Sequence, residues 1–362
     1  MVKAQFLFLT ESAYPQRRTT MYLISPDKKQ YKANLHCHST LSDGRKTPEE
    51  LKELYRSHGY DVLSITDHEI PKSHNDLNEP GFLMLTGYEA YIRPSATCTY
   101  DRFASEVHLN LFARDPENET SICYNRAFCK YLNDEQAAQL VKAGSQRPRE
   151  YKREYINEFI RTAGENGYLV AYNHPYWSME DEADILAYEG YFSMEMCNYG
   201  SYVTNHLEYN AAVYDKMLRA GKHVFCHSGD DNHNTYPVGH TQSDSFGAFT
   251  MILADDLTYD NMINAMERGE MYSSMGPLFK EVSVEDDHIH VECSEVASIC
   301  AYFGSKTPKR VIAEPGQVLT SADIPLDADA RYVRVSIFDR EGKAADTRGF
   351  FRDELGLPPL TE

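Results

Sequence analysis

The chain has 362 residues, enough for one large domain and a smaller one with a substantial buried core, so no disulfide or metal staple is needed merely to fold it. Its 36 Lys plus Arg against 55 Asp plus Glu give a formal charge of -19, whose field repels polyanions and argues against duplex nucleic acid as a partner. Eight scattered cysteines without a Cys-x-x-Cys pair suit free thiols in a reducing cytoplasm, and the lack of any apolar run of about 18 residues argues against a membrane-spanning helix.

Residues 1–30 read as an N-terminal extension without the charged start, long apolar run and small-residue cleavage site of an export signal, and a strand is expected at residues 5–10. Residues 33–38 read as a strand. Alternation puts His36 and His38 on one face and Cys37 on the other, where packing is its expected role. Ser42, Asp43 and Gly44 follow in a loop. Thr47 is then an N-cap, Pro48 opens a helix, Glu50 completes a capping box, and Gly59 closes the helix. A second apolar run, Val62–Ile65, ends in Thr66, Asp67 and His68, so the unit is a parallel crossover.

Residues 82–86 lead to Gly87, Tyr88 and Glu89, and residues 106–112 alternate so that His108 opposes Val107 and Leu109. The irregular stretch of about 93–150 is read as an insertion over the site. Strand and helix then alternate: helix 153–164, strand 168–173 ending in Asn173 and His174, helix 181–188, and strand 191–197. Helix 207–220 follows, then strand 223–227 running into Asp231 and His233, strand 247–253, and helix 258–268. Short connections argue for an α/β barrel or a doubly wound sheet over 31–277, and alternating strands without helices for a small all-β domain over 278–362.

Nine imidazole or carboxylate residues thus fall at expected strand ends: His36, His38, Asp43, His68, Glu89, His108, His174, Asp231 and His233. Rigid strands whose loops converge are the usual carriers of a site, and a set without cysteine suits zinc, manganese or iron. A lone histidine more often packs in a core, but nine together do not.

In order along residues 31–275, His-x-His at 36 and 38, Ser-Asp-Gly at 42–44, Thr-Asp-His at 66–68, Gly-x-Glu at 87–89, the His108 strand, Asn-His-Pro at 173–175 and Asp-x-His at 231–233 resemble the polymerase and histidinol phosphatase (PHP) family of metal-dependent phosphoesterases. The resemblance implies a distorted seven-stranded (β/α) barrel of PHP type with two or three divalent metal ions. By motif, His36, His38, Glu89 and Asp231 would hold the first ion. Glu89 would bridge to a second held by His108 and His174, and Asp43, His68 and His233 would hold a third; some relatives carry histidine where Asp43 stands. The implied reaction is hydrolysis of a small or nucleotide-like phosphate ester by a metal-bridged hydroxide, with Glu89, Asp231 and His233 as catalytic residues. The same hydroxide can attack an amide or lactone carbonyl, and a non-catalytic metal-binding module is a third reading.

Around this set, Glu195 is read either as support for a ligand or as a buried hydrogen-bonding group. Asp67, Asp230 and His227 are read as structural or supporting. Lys72, Arg93 and Arg102 lie near the expected mouth, mostly as solvated charges; Trp177 either lines the pocket or packs under its loop. His206, His223 and His240 have no usable partner spacing.

Overall fold

The computed structural model describes residues 20–94 and 101–360, so the strand expected at residues 5–10 lies outside the described residues. The first half comprises β1 (Met21–Ile24), β2 (Lys29–Asn34), α1 (Pro48–Ser57), β3 (Val62–Ile65), β4 (Leu83–Ile92), β5 (Val107–Ala113), β6 (Thr120–Ile122), α2 (Asp134–Gln139), β7 (Val141–Ala143), α3 (Arg153–Glu165) and β8 (Tyr168–Tyr172). Next come α4 (Glu182–Ile185), β9 (Ser193–Asn198), α5 (Tyr199–Asn205), α6 (Ala211–Arg219), β10 (Phe225–Gly229), β11 (Phe249–Ala254), α7 (Tyr259–Arg268) and β12 (Met271–Ser274). The remainder is all strand: β13 (Phe279–Glu285), β14 (His288–Val296), β15 (Ser298–Tyr302), β16 (Lys309–Ile312), β17 (Leu319–Pro325), β18 (Tyr332–Phe338), β19 (Ala344–Thr347) and β20 (Phe350–Phe351).

Local chemistry sets the crossover that begins the fold. The Thr47 hydroxyl accepts from the Glu50 amide, the Glu50 carboxylate accepts from the Thr47 amide, and Leu51 and Tyr55 bury one face of α1. Gly59, at φ 74°, takes the left-handed turn back toward β3.

Fourteen strands form one sheet, whose main path runs β10-β9-β8-β5-β4-β3-β2-β11-β12-β19-β18-β15-β16. Neighbours β2, β3 and β4 are parallel, as are β8, β9 and β10. In contrast, β5 is antiparallel to both β4 and β8. The sheet curls until the end of β10 meets the end of β2. There the Asp231 amide donates to the His36 carbonyl at 2.8 Å, and the His38 amide donates to Asn232 at 3.1 Å. Gly229 permits the approach, since a β-carbon there would lie 2.7 Å from that of His36.

The expected distorted seven-stranded barrel is therefore not confirmed, and among the described residues the strands do not close into one. The second edge of β2 is occupied by antiparallel β11, leaving β10 no ladder partner on that side. Side-chain hydroxyls bridge the seam instead: Thr250 Oγ1 receives the Ser228 amide and donates to the Ser228 carbonyl, while the Ser228 and Ser273 hydroxyls are 2.6 Å apart.

Strands after Leu278 divide between two sheets. β13, β14 and β17 pair with β1 in a four-stranded sheet, while β15, β16, β18 and β19 continue the large one through the β12–β19 ladder. Arg334 fastens this part to α6. Its guanidinium is 1% exposed and pairs with Asp346 at 2.8 Å and with Asp215 at 3.1 Å. Tyr209 donates to Asp346 and Tyr332 to Asp215. Among the described residues no helix is long and apolar enough to cross a membrane.

Arg334→Leu is expected to lower stability in urea denaturation by about 3–5 kcal/mol, because it strands the buried Asp346 carboxylate without its cation. A loss below about 1 kcal/mol would show that the network acts as an exposed ion pair does.

Candidate metal centre

The predicted side chains reach one cluster along six strands and one loop. His36 and His38 follow β2 in extended backbone, and His68 follows β3. Glu89 lies inside the ten-residue β4 rather than at its end, beside His68 through an isolated bridge. His108 is the second residue of β5. Because that strand runs antiparallel, its amino end shares the edge formed by its neighbours' carboxyl ends. His174 follows β8, and Asp231 and His233 follow β10. Asp43 arrives on the loop after His38, which Asp67 ties down by accepting from the Ser39 amide and the Ser39 and Ser42 hydroxyls.

Glu89 is the centre. One of its oxygens lies 3.0 Å from His108 Nδ1 and 3.3 Å from Nε2 of both His36 and His174. The other lies 3.0 Å from His68 Nδ1 and 3.5 Å from His38 Nε2. Asp231 Oδ1 is 2.9 Å from His38 Nε2 and 3.3 Å from His36 Nε2, and Asp43 is 3.4 Å from His233 Nε2. Four overlapping groups have ligand atoms within 4.8 Å of one another: His38, Asp43, His68, His233; His36, Glu89, His174; His36, His38, Asp231; and His68, Glu89, His108. All nine predicted residues fall within them. His36, His38, His68 and Glu89 each join two groups, a more shared arrangement than the expected one, in which Glu89 alone joins two ligand sets.

These atoms are close without being paired. His36 Nε2, His38 Nε2, His68 Nδ1, His108 Nε2 and Asp231 Oδ1 are buried and lack an aligned hydrogen-bond partner, even where a carboxylate oxygen stands near. Imidazole nitrogens and carboxylate oxygens aimed at one another with unspent lone pairs are the donor set of zinc, manganese or iron, so the residues fit divalent ions. His227 Nε2 is likewise buried and unpartnered, but burial pushes that imidazole down to about 4 and keeps it neutral.

Electrostatics agree with a site made for positive charge. Burial works to raise the Glu89 pKa, yet His108, His36 and His68 outweigh it and hold the carboxyl well below the usual range. For His36, burial opposes the imidazolium, but Asp231, Glu195 and Glu89 together raise its pKa well above the ordinary value. His233 is raised to about 9: burial opposes, and Asp43 and Asp231 prevail. Divalent ions would take over charge that protons otherwise supply here, so metal uptake must release protons.

A ring of supporting groups fixes the ligands. Glu195 Oε1 lies 3.0 Å from His36 Nδ1, while Oε2 accepts from the His174 amide and from Asn198 Nδ2, each at 3.0 Å. Asn198 Nδ2 also reaches Asp231 Oδ2 at 3.1 Å, and Asn173 Nδ2 donates to Glu89 at 2.8 Å. Glu195 is thus the supporting carboxylate of the two readings, holding groups on three strand ends. His174 and Asp231 sit at φ 25° and 50°, costly values for non-glycine residues that the surrounding bonds enforce.

Asn198, Ser178 beside His174 Nδ1, and Tyr131, whose hydroxyl donates to Asp43 at 2.8 Å, escape the sequence reading. The only available signal for Asn198 is a polar residue closing a strand. Tyr131 comes from the insertion, where no periodicity places it. The rings of His108 and His174 meet Trp177 edge-on at 5.1 and 4.9 Å, so Trp177 lines the cavity. Lys72 pairs with Glu119 at the surface, whereas Arg93 is buried against Glu106 and lines the cavity.

Residues 34–195 match the family model of the PHP domain. A two-domain protein from Bacteroides vulgatus ATCC 8482, described as containing a predicted PHP-like metal-dependent phosphoesterase, shares 14% identity at a TM-score of 0.44, covering 93% of this chain and 100% of its own. An amidohydrolase from Chromobacterium violaceum, with bound sulfate and no metal, shares 17% identity at a TM-score of 0.39, covering 66% of this chain and 96% of its own. No curated protein matches the chain.

Glu195→Gln presents only one acceptor end where two are needed, so manganese affinity of the stripped protein, read by calorimetric titration, is expected to fall about 10–100-fold. An unchanged affinity would reduce Glu195 to a packing role.

Proposed function

We propose that this chain, whose residues 34–195 match the family model of the PHP domain, is a metal-dependent hydrolase acting on a small phosphate ester, nucleotide-like esters included. One observation carries the reading: nine imidazole and carboxylate side chains from six strands and one loop converge in overlapping groups, seven of them lining a cavity of about 470 Å³, and several of their buried polar atoms lack an aligned partner. Divalent ions held there would supply Lewis acidity, a water of lowered pKa and neutralisation of charge developing on a phosphoryl group.

The chain's own residues do the rest. Glu89 and Asp231, deprotonated at neutral pH, hold negative charge among the imidazoles of His36, His38, His108 and His174. Asp43 and His233 are about one-third exposed and His68 less so, which puts their group on the open side facing an entering ester. Lys130 lines the wall and adds positive charge where the acidic molecule would otherwise repel a phosphate, while Arg93 beside it is balanced by Glu106.

Protein reconstituted with manganese is expected to hydrolyse nitrophenyl phosphate mono- or diesters, to lose activity on chelation and to regain it with metal. Glu89→Gln should lower kcat at least about 100-fold, since it removes the carboxylate shared by two ligand groups. A metal-replete wild type inert toward a broad panel of phosphate esters would sink the reading, as would turnover of amides or lactones with those esters untouched.

A further inference from the structure

A second cavity of about 620 Å³ adjoins the metal cavity, with Trp177 and Asn205 lining both. Its walls are chemically unlike the first. Pro175, Tyr176, Trp177, Met179, Ile185 and Val213 supply apolar surface, while the charged Asp101, Arg102 and Glu182 stand at the exposed mouth. Glu180 also lines it, but its carboxylate already receives the hydroxyls of Tyr151, Tyr172 and Tyr188 and has no call for a cation.

The walls are set before any ligand arrives. Buried Glu208 accepts from the amides of Tyr176 and Trp177, the Glu106 amide donates to the Ser178 carbonyl, and the Ser105 hydroxyl donates to the Met179 carbonyl. Met179 is the telling residue. It holds φ 54°, where Gly or Asn would be the cheaper choice, yet its apolar side chain is 53% exposed beside the cavity. Tyr176 is 50% exposed beside it. A rigid, apolar pocket of this size next to a polar reaction cavity has the form of a ligand site.

We propose that this cavity binds the alcohol part of the ester as a flat aromatic group against Trp177, while the phosphate occupies the metal cavity. The proposal rests on the phosphoesterase reading for its substrate class, but the pocket can be tested separately. Trp177 is the chain's single tryptophan, so its emission reports on the wall that the two cavities share, and variants of the second cavity assign the quench to that side. In the manganese-loaded protein, 4-bromobenzyl alcohol is expected to quench that emission saturably through its heavy atom. Val213→Phe, which fills the cavity, and Met179→Asn, which suits the left-handed backbone, should each weaken the quench at least about fivefold in apparent affinity.

Methyl and 4-bromobenzyl phosphate release alcohols of similar acidity, so their relative kcat/KM reports binding of the alcohol part. A preference of at least about tenfold for the benzyl ester is expected, falling below about threefold in Val213→Phe. Absence of quenching, a quench unaltered in both variants, or equal kcat/KM for the two esters would overturn the pocket assignment while leaving phosphoesterase activity standing. Saturable quenching that both variants weaken, with neither ester hydrolysed, would support the pocket and overturn the phosphoesterase reading instead.

Discussion

The backbone pairing between residues 36–38 and 231–232 is the contact on which the candidate site depends. Without the bonds from the Asp231 amide to His36 and from the His38 amide to Asn232, the sheet would curl but its two ends would not bring His36, His38 and Asp231 together. No ladder enforces the meeting, so buried polar groups do. Asp230 accepts from the amides of Phe246, Gly247 and Ala248 and from the Tyr55 hydroxyl, and its own amide donates to Asn34. A carboxylate with this many donors is strongly directional, and it clamps the turn after β10 between α1 and the approach to β11.

That arrangement carries an energetic tension. Five imidazoles surround one buried carboxylate, and several of their nitrogens have no aligned partner. Unpaired buried polar atoms are costly, and φ values above zero at His174 and Asp231 add to the cost. The apolar layers outside the sheet offset it: β3, β4 and α1 pack against the strands after Leu278, and β5, β8 and β9 pack against α3 and α6. A site so arranged fits divalent cations better than it satisfies its own internal pairing.

Much of this was legible in the amino-acid pattern because the signals were local. Thr47, Pro48, Glu50 and Gly59 dictate α1 by capping chemistry, and alternation alone places His36 and His38 together opposite the buried Cys37. Partner choice was not legible. Period-2 alternation says which face His108 uses but not that β5 runs antiparallel, and β4 continues past Glu89 because β5 pairs with it as far as Ile92. Helix α5 hides because its seven residues, Tyr199–Asn205, follow a strand directly, with Asn198 serving as both strand end and N-cap. The expected helix over 207–220 shrinks to α6, since the Asn210 amide donates to the Met196 carbonyl of β9, and that over 181–188 shortens to α4, whose end tightens into a turn with the Ala187 and Tyr188 amides both on the Asp184 carbonyl. Closure of the barrel failed for a similar reason: nothing local says that β11 will take the edge of β2.

The antiparallel β5 explains why the site is asymmetric. Reversal of one strand brings an amino end to an edge otherwise built from carboxyl ends, so the chain enters β5 there through Ala104, Ser105 and Glu106 rather than leaving through a short turn into a helix. Those entering residues lie against the loop after β8, where Glu106 and Ser178 bond and Trp177 packs on His108 and His174. A parallel strand at this position would send its loop outward and leave the wall beyond Trp177 unbuilt. The same reversal that delivers His108 to Glu89 therefore also divides the space above the sheet into a charged chamber and an apolar one.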